Sequence, residues 1–332
     1  MKQSDIAVIV LNWNGKSDSL ACIDALGRQT LKHDIIAVDN GSEDSFFNEI
    51  QTNHPEIISV RNDKNMGFAG GVNSGIRIAI EHGYKYIALI NNDAKPEKDW
   101  LNNLFQTIAI DKSTGIVTGK LLKTDGSIDS TGDLYTSWGL PYPRGRGEKD
   151  NGQYDKKQEV FAASGGASLY RVEMLKDIGL FDEDFFAYYE DVDISFRARL
   201  AGWKIIYEPK AVAYHKIGAT SSKIKGFTTY QTIKNLPFLM WKNVPLSLMP
   251  KVLPRLFVAH SAIAFSALSR GHFIPVIKGY FMSCLLLPKK LYERHLIQSS
   301  KKISTDGLRE LITFDLPPNA YKLRKIRSFF VR

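Results

Sequence analysis

Carboxylates and carboxamides gather in a few short segments of this chain, and their spacing limits the chemistry open to them. Asn91-Asn92-Asp93 comes straight after the apolar run Ile87-Ala88-Leu89-Ile90. An Asp at the open end of a buried strand can ligate a hard divalent cation that bridges two phosphates. The same Asp could equally cap a helix beginning near Pro96. Glu190-Asp191 precedes Val192, Phe196, Leu200 and Trp203, which recur at helical spacing and predict a helix from about Asp191 to Ala201 with its opposite side toward solvent or a cleft. Carboxylates at a helix N-terminus are stabilised in ionised form, which suits a general base; an ordinary acidic helix start reads the same way. His215, after Ala211-Val212-Ala213, can be a metal ligand or a satisfied structural histidine.

The run from Asn65 to Gly75, with Gly67, Phe68, Gly71 and Asn73, sits between a predicted strand and a predicted helix. Its glycines allow a ligand close to the backbone, and the helix N-terminus offers free N–H groups to anionic oxygens. Tight packing of helix on sheet would ask for the same glycines. It lacks the Gly-Lys-Ser/Thr ending of a Walker loop and the spacing of the dinucleotide fingerprint.

The elements that must position these groups alternate. Strands are expected at Ile6–Leu11, Ile35–Asp39, Ile57–Arg61 and Tyr86–Ile90, and helices at Ser17–Leu26, Glu43–Thr52 and Ala69–His82. This is the signature of an α/β fold with a largely parallel sheet. Asn12-Trp13-Asn14-Gly15, Asp39-Asn40-Gly41-Ser42, the glycine run and Asn91-Asn92-Asp93 each follow a strand. The carboxyl ends of parallel strands share one sheet edge, so the four motifs are expected around one crevice. Further on, Gly115–Lys123 and Lys204–Tyr207 read as strands. The Gly-, Pro- and Arg-rich loop from Trp138 to Gly147 suits a substrate-facing flap, with Trp138, Arg144 and Tyr189 as acceptor-side contacts.

Charge divides the chain. Residues 1–219 carry 25 Lys and Arg against 31 Asp and Glu, whereas residues 220–332 carry 19 against 4. Between Phe227 and Leu291 the cations interleave with Trp241, Phe257, Phe265, Phe273, Tyr280 and Phe281, which favours an anionic membrane surface over nucleic acid. Leu256–Leu268 and Tyr280–Pro288 are too short or too interrupted to cross a bilayer, so this part should lie on a membrane; packing on the first part is the plainer alternative. A catalytic domain is expected over 1–220, with a nucleotide-binding half at 1–95 and an acceptor half at 96–220, followed by basic helices over 221–332. Cys22 and Cys284 show no disulfide or zinc spacing, and Ile6–Leu11 is no secretory signal, so the chain should remain cytoplasmic, at the inner face of the cell membrane.

Taken in order, Val8 to Gly15, Val38 to Ser42, Asn65 to Gly75, Asn91 to Ala94, and Phe181 to Phe186 followed by Tyr189 to Asp193 resemble the family 2 glycosyltransferases, especially bacterial rhamnosyltransferase-like members that build surface polysaccharides. The resemblance covers about the first 220 residues. It implies the Rossmann-like nucleotide-diphospho-sugar transferase (GT-A) fold with a mixed central sheet, and an inverting, metal-dependent transfer. Asp39 would read the base, with Asn12, Asn14, Asn40 and Ser42 around it and Asn65, Gly67, Phe68, Gly71, Asn73 and Asn92 on the donor. Ser164-Gly165-Gly166-Ala167 resembles the strand that passes beneath the donor sugar, so Gly165 and Gly166 would lie against the donor. Asp93, with Asn91 in place of the family's first Asp and His215 completing the shell, would hold Mg²⁺ or Mn²⁺. Asp191, paired with Glu190, would be the base. The donor expected is a dTDP- or UDP-linked sugar, rhamnose first, and the acceptor a saccharide or lipid-linked saccharide. Two other readings are a sugar nucleotidyltransferase, which would want a basic glycine-rich loop where Asn12 to Gly15 carries no charge, and a non-catalytic scaffold using its basic tail.

Overall fold

The computed structural model describes residues 4–216 and 224–313. The domain boundary expected at residue 220, and residues 314–332 of the expected C-terminal part, lie outside them.

The opening alternation forms as read. β1 (Ile6–Asn12), α1 (Lys16–Leu26), β2 (Asp34–Asp39), α2 (Phe46–Asn53), β3 (Ile58–Arg61), α3 (Gly67–Glu81) and β4 (Tyr86–Asn91) follow in turn. The strands order as β3-β2-β1-β4, all parallel. The chain therefore winds outward from β1 and returns on its other side, creating a switch in strand order between β1 and β4. Ligands settle beside such a switch, outside the carboxyl ends. β1 is covered on both faces by helices, which is why its sequence is a continuous apolar run instead of an alternating one.

Beyond β4 the sheet becomes mixed. β5 (Ala94–Pro96) pairs with Ala213–His215, so the helix expected near Pro96 begins later, as α4 (Trp100–Ile110). β6 (Thr114–Lys123), β7 (Ile128–Ser130), β8 (Asp133–Tyr135), β9 (Pro141–Pro143), β10 (Gln158–Glu159), β11 (Ala167–Arg171), α5 (Val172–Ile178), α6 (Glu190–Leu200) and β12 (Lys204–His215) complete this part. β11 inserts antiparallel between β4 and β6, and β12 runs parallel to β6. β12 continues far past Tyr207, the strand end expected from sequence: its register shifts between Glu208 and Val212, and this irregularity accommodates Pro209.

The remaining helices are α7 (Phe227–Asn243), α8 (Met249–Ser269), α9 (Phe273–Ser299) and α10 (Thr305–Leu311). They share a core with α6 and with Tyr135, Trp138 and Phe161. This changes the expectation for α6, whose polar side was to face solvent or a cleft: Asp193, Arg197 and Arg199 are all buried. Lys242 of α7 lies 3.0 Å from Asp193 and 2.6 Å from Asp182, and Asn243 donates to Asp193 at 2.8 Å. Lys290 of α9, fully buried, lies 2.6 Å from Asp182 and 2.7 Å from Asp184. Asp182, Asp184 and Glu293 could by spacing hold a metal ion, but these ammonium groups occupy that role. Burial opposes ionisation of Asp182, yet Lys242 and Lys290 hold its carboxyl well below the usual range.

The run Leu256–Leu268, expected to be too short to span, belongs to the longer α8, which is the one helix among the described residues long and apolar enough, by length and composition, to cross a bilayer. One side of it, with Val252, Leu256 and Ala259, is buried against the neighbouring helices, while Phe257 and Phe265 are 71% and 75% exposed.

Candidate active site

A continuous set of contacts runs along the sheet edge. Asp39, fully buried at the end of β2, accepts from the Ser42 backbone N–H at 3.3 Å, and its other oxygen has the Arg61 guanidinium at 3.4 Å. The Ser42 hydroxyl receives the Asn12 amide at 3.0 Å and the Asn14 backbone N–H at 3.1 Å. Asn12 accepts from Ser19 at 2.7 Å, and Asn92 donates to that hydroxyl at 2.9 Å. Beside Asn92, Asp93 lies 3.0 Å from His215 Nε2, with the Asn91 amide nitrogen 3.2 Å from the same atom. The Asn91 N–H donates to the Gly166 carbonyl at 2.9 Å, and the Gly165 N–H donates to Asp191 at 3.0 Å. Asp39, Asp93 and Asp191 thus border one rim that crosses the switch point.

Burial raises all three carboxylates at its far end. Glu190 is pushed up to about 8 by burial and by the Asp191 charge, and Asp133 to about 7 by the same two causes. Asp191 is also raised by burial, but two backbone N–H groups, of Gly165 and Val192, bond to its oxygens. Glu190 Oε2 has no hydrogen-bond partner among the described residues. The negative charge therefore settles on Asp191, which is the group left able to take a proton. The backbone entering α6 is unusual: Phe186, Tyr188 and Tyr189 have φ of 64°, 68° and 72°. Such left-handed residues cost energy and persist only where their surroundings hold them. Asn235 of α7, fully buried, donates to the carbonyls of Phe185, Ala187 and Tyr188, and Lys234 donates to that of Asp184.

The Asp93–His215 pair suits a divalent cation, with a carboxylate and an imidazole converging and the Asn91 carboxamide beside them. Asp129 Oδ2 lies 2.9 Å from His215 Nδ1, the arrangement by which a carboxylate orients a metal-binding imidazole. Burial disfavours the charged ring, but Asp129 and Asp93 hold His215 up at about 9. A cation taking Nε2 must displace that proton. Mn²⁺ binding near pH 7.5 is accordingly expected to release about one proton per ion and to tighten as pH rises toward about 9. Titration calorimetry in buffers of differing ionisation enthalpy checks this; proton-neutral binding would remove His215 from the ligand set.

Other expected residues sit differently. Asn40 and Asn65 bond to each other at 3.1 Å and to the Gly67 carbonyl and N–H, bracing the glycine turn from within. Gly67 has φ of +72°, and a Cβ there would strike the Phe186 carbonyl, so this glycine lets the loop meet the turn before α6. Gly71 packs α3 on β1, where a Cβ would come within 2.6 Å of Leu11; this is the helix-on-sheet role. Asn73 spends its amide on the Phe181 carbonyl and Glu183, away from the rim. Phe68 stands edge-on to Phe181 and near Gly165. Of the acceptor-side residues, Trp138 is buried in the core against the C-terminal helices, and Arg144 donates to the Thr131 carbonyl and stacks over Tyr154 and Tyr207. Tyr189 precedes Glu190 as the residue capping α6. The arginine that faces the carboxylates is Arg146, 2.9 Å from Asp129, whose charge also lowers Asp133 and Asp191. Sequence reasoning missed Asp129, Asp133 and Arg146.

A family model for glycosyltransferase-like family 2 matches residues 3–232. The low-salt glycan biosynthesis hexosyltransferase Agl10 of Haloferax volcanii is 25% identical over 201 residues, 59% of this chain and 62% of that protein. The poly-beta-1,6-N-acetyl-D-glucosamine synthase of Staphylococcus aureus is 27% identical over 193 residues, 57% of this chain and 44% of that one. The chain thus spans less than two thirds of the length of either relative. Two solved structures share the fold at low identity. GalNAc-T7 with UDP, GalNAc and Mn²⁺ superposes with a TM-score of 0.56 and 16% identity over 71% of this chain and 47% of that one. The mannosyltransferase PcManGT of Pyrobaculum calidifontis with GDP-Man and Mn²⁺ gives 0.53 and 15% over 89% and 85%. The architecture is therefore the GT-A fold, as expected.

Proposed function

The chain belongs to glycosyltransferase-like family 2, and we propose that it catalyses an inverting, metal-assisted transfer of a hexosyl group from a nucleotide-diphospho-sugar to a saccharide or lipid-linked saccharide of the cell envelope. The observation that carries this reading is the unbroken rim from Asp39 through Asp93 to Asp191. Asp39 reads the base through Oδ2, which no hydrogen bond ties down although the Arg61 guanidinium faces it at 3.4 Å, beside Asn12, Asn14 and Ser42. Asp93 and His215 would hold Mg²⁺ or Mn²⁺, and the ion would supply charge stabilisation to the departing diphosphate. Asp191 accepts the proton of the acceptor hydroxyl as it attacks the anomeric carbon opposite the nucleotide, so one displacement inverts the centre. The relatives named for glycan building, and neighbours solved with Mn²⁺ and either UDP and GalNAc or GDP-Man, support the donor class and the cation. By the sequence resemblance, rhamnose on dTDP is the first donor to try, with UDP-sugars next.

The apolar side chains exposed on α8 and α9 support a peripheral position at the inner face of the membrane, with the helices lying in the interface. A panel of nucleotide sugars tests the function. Release of nucleoside diphosphate is the expected result with one of them; release of pyrophosphate would point to a nucleotidyltransferase, and neither product to a scaffold.

A further inference from the structure

A pocket of about 350 Å³ lies where the start of α7 meets the end of α8 and the start of α9. Lys225, Arg270 and His272 line it together with Thr228, Thr229 and Thr232, and no carboxylate is among its described lining residues. Two fixed cations and three hydroxyls make this an environment for an anion. The first turns of α7 and α9 add to it, because their leading amides have no partner within their own helices. Thr229 Oγ1 and His272 Nδ1 lie 2.8 Å apart and tie the two helix starts together.

The pocket has two neighbours of opposite character. Toward the reaction centre, the Tyr188 hydroxyl lies 3.3 Å from Thr228 Oγ1 and Tyr189 hydrogen-bonds to Thr232; these tyrosines lead directly into Glu190-Asp191. Along α9, Phe273, Ile277 and Phe281 recur every fourth residue and are 63%, 52% and 64% exposed, an apolar stripe beginning at the pocket's edge. The donor rim at β1, β2 and β4 contributes none of the pocket's lining residues.

We infer that this pocket receives the diphosphate of a lipid-linked acceptor. The hydrocarbon then follows the Phe273–Phe281 stripe, and the first sugar passes Tyr188 and Tyr189 toward Asp191. The inference rests on the transfer reaction proposed above and narrows its acceptor. A headgroup anion followed by an apolar chain matches the order of charge and apolar surface; a soluble oligosaccharide would use neither.

The test is equilibrium binding to the full chain of three probes: farnesyl diphosphate, inorganic diphosphate and farnesol. Farnesyl diphosphate is expected to bind tightest and to lose at least about tenfold in affinity in the Lys225→Gln/Arg270→Gln variant. Asp93→Ala should leave its binding unchanged. Phe273→Ser/Phe281→Ser should weaken farnesyl diphosphate and spare inorganic diphosphate, which keeps the test decisive if the charge variant fails to fold. Inorganic diphosphate binding as tightly as farnesyl diphosphate would leave a free-phosphate site and overturn the lipid assignment. Unchanged affinity in the charge variant, or an equal loss in Asp93→Ala, would overturn the pocket. Nucleoside diphosphate release by the wild-type protein is read separately, so failure of the transfer reading and failure of the pocket give different results.

Discussion

Asp191→Asn should cut turnover at least about a hundredfold while donor affinity stays near wild type, because the amide preserves shape but cannot take a proton. The hydrogen bond from the Gly165 N–H survives on the amide oxygen, so the Gly165-Gly166 turn keeps its place against Asn91. Burial holds the Asp191 carboxyl above its ordinary range. Protonation removes the base, so kcat/KM should climb as pH rises through that raised value, with its acid limb above about pH 4, where an exposed Asp titrates. The acid limb should vanish in Asp191→Asn, leaving a low, flat rate. Wild-type turnover in that variant, measured by nucleoside diphosphate release, would take the role from Asp191.

The second large effect is one of stability. Lys242→Ala should destabilise the protein by about 3–5 kcal/mol, the cost of leaving buried charges without their partner. Asp193 is fully buried and keeps Arg197 and Asn243, and Asp182 keeps Lys290 and the Asp184 backbone N–H. Lys242→Met with Asp193→Asn should recover part of the loss, since the unpaired charge goes with its partner. Denaturant unfolding measures both, and a loss under 1 kcal/mol for the single change would show the network to be dispensable.

That network marks where reading the sequence fell short. Asp193, Arg197 and Arg199 gave α6 the pattern of a helix with a wet side, and the lysines of residues 220–332 counted as free positive charge. Arg197 pairs with Asp193 one turn away on α6, but the other matches come from distant elements: Asp193 by Lys242, Arg199 by Glu159, Lys290 by Asp182. Pairs so far apart leave no local period to detect. The gathering of polar residues along the sheet edge was legible for the opposite reason. Asn12, Asp39 and Asp93 each follow an apolar strand, and a parallel sheet brings such positions to one edge whatever separates them in sequence. Asp129 and Asp133 stand on strands of three residues, too short for any alternation to declare which way a side chain turns. Trp138 and Arg144 looked available in a loop rich in Gly and Pro, but the loop is packed against Tyr154, Tyr207 and the C-terminal helices.

Asn235 grips the carbonyls of Phe185, Ala187 and Tyr188 in the turn that delivers Glu190 and Asp191, and it comes from a helix that follows the α/β sheet in the chain. Protein engineers who graft the donor-recognition part onto another acceptor module would therefore have to carry α7 and α9 along. A chimera joined just after β12 would keep every residue proposed to bind the nucleotide and lose the brace on the turn that carries Glu190 and Asp191.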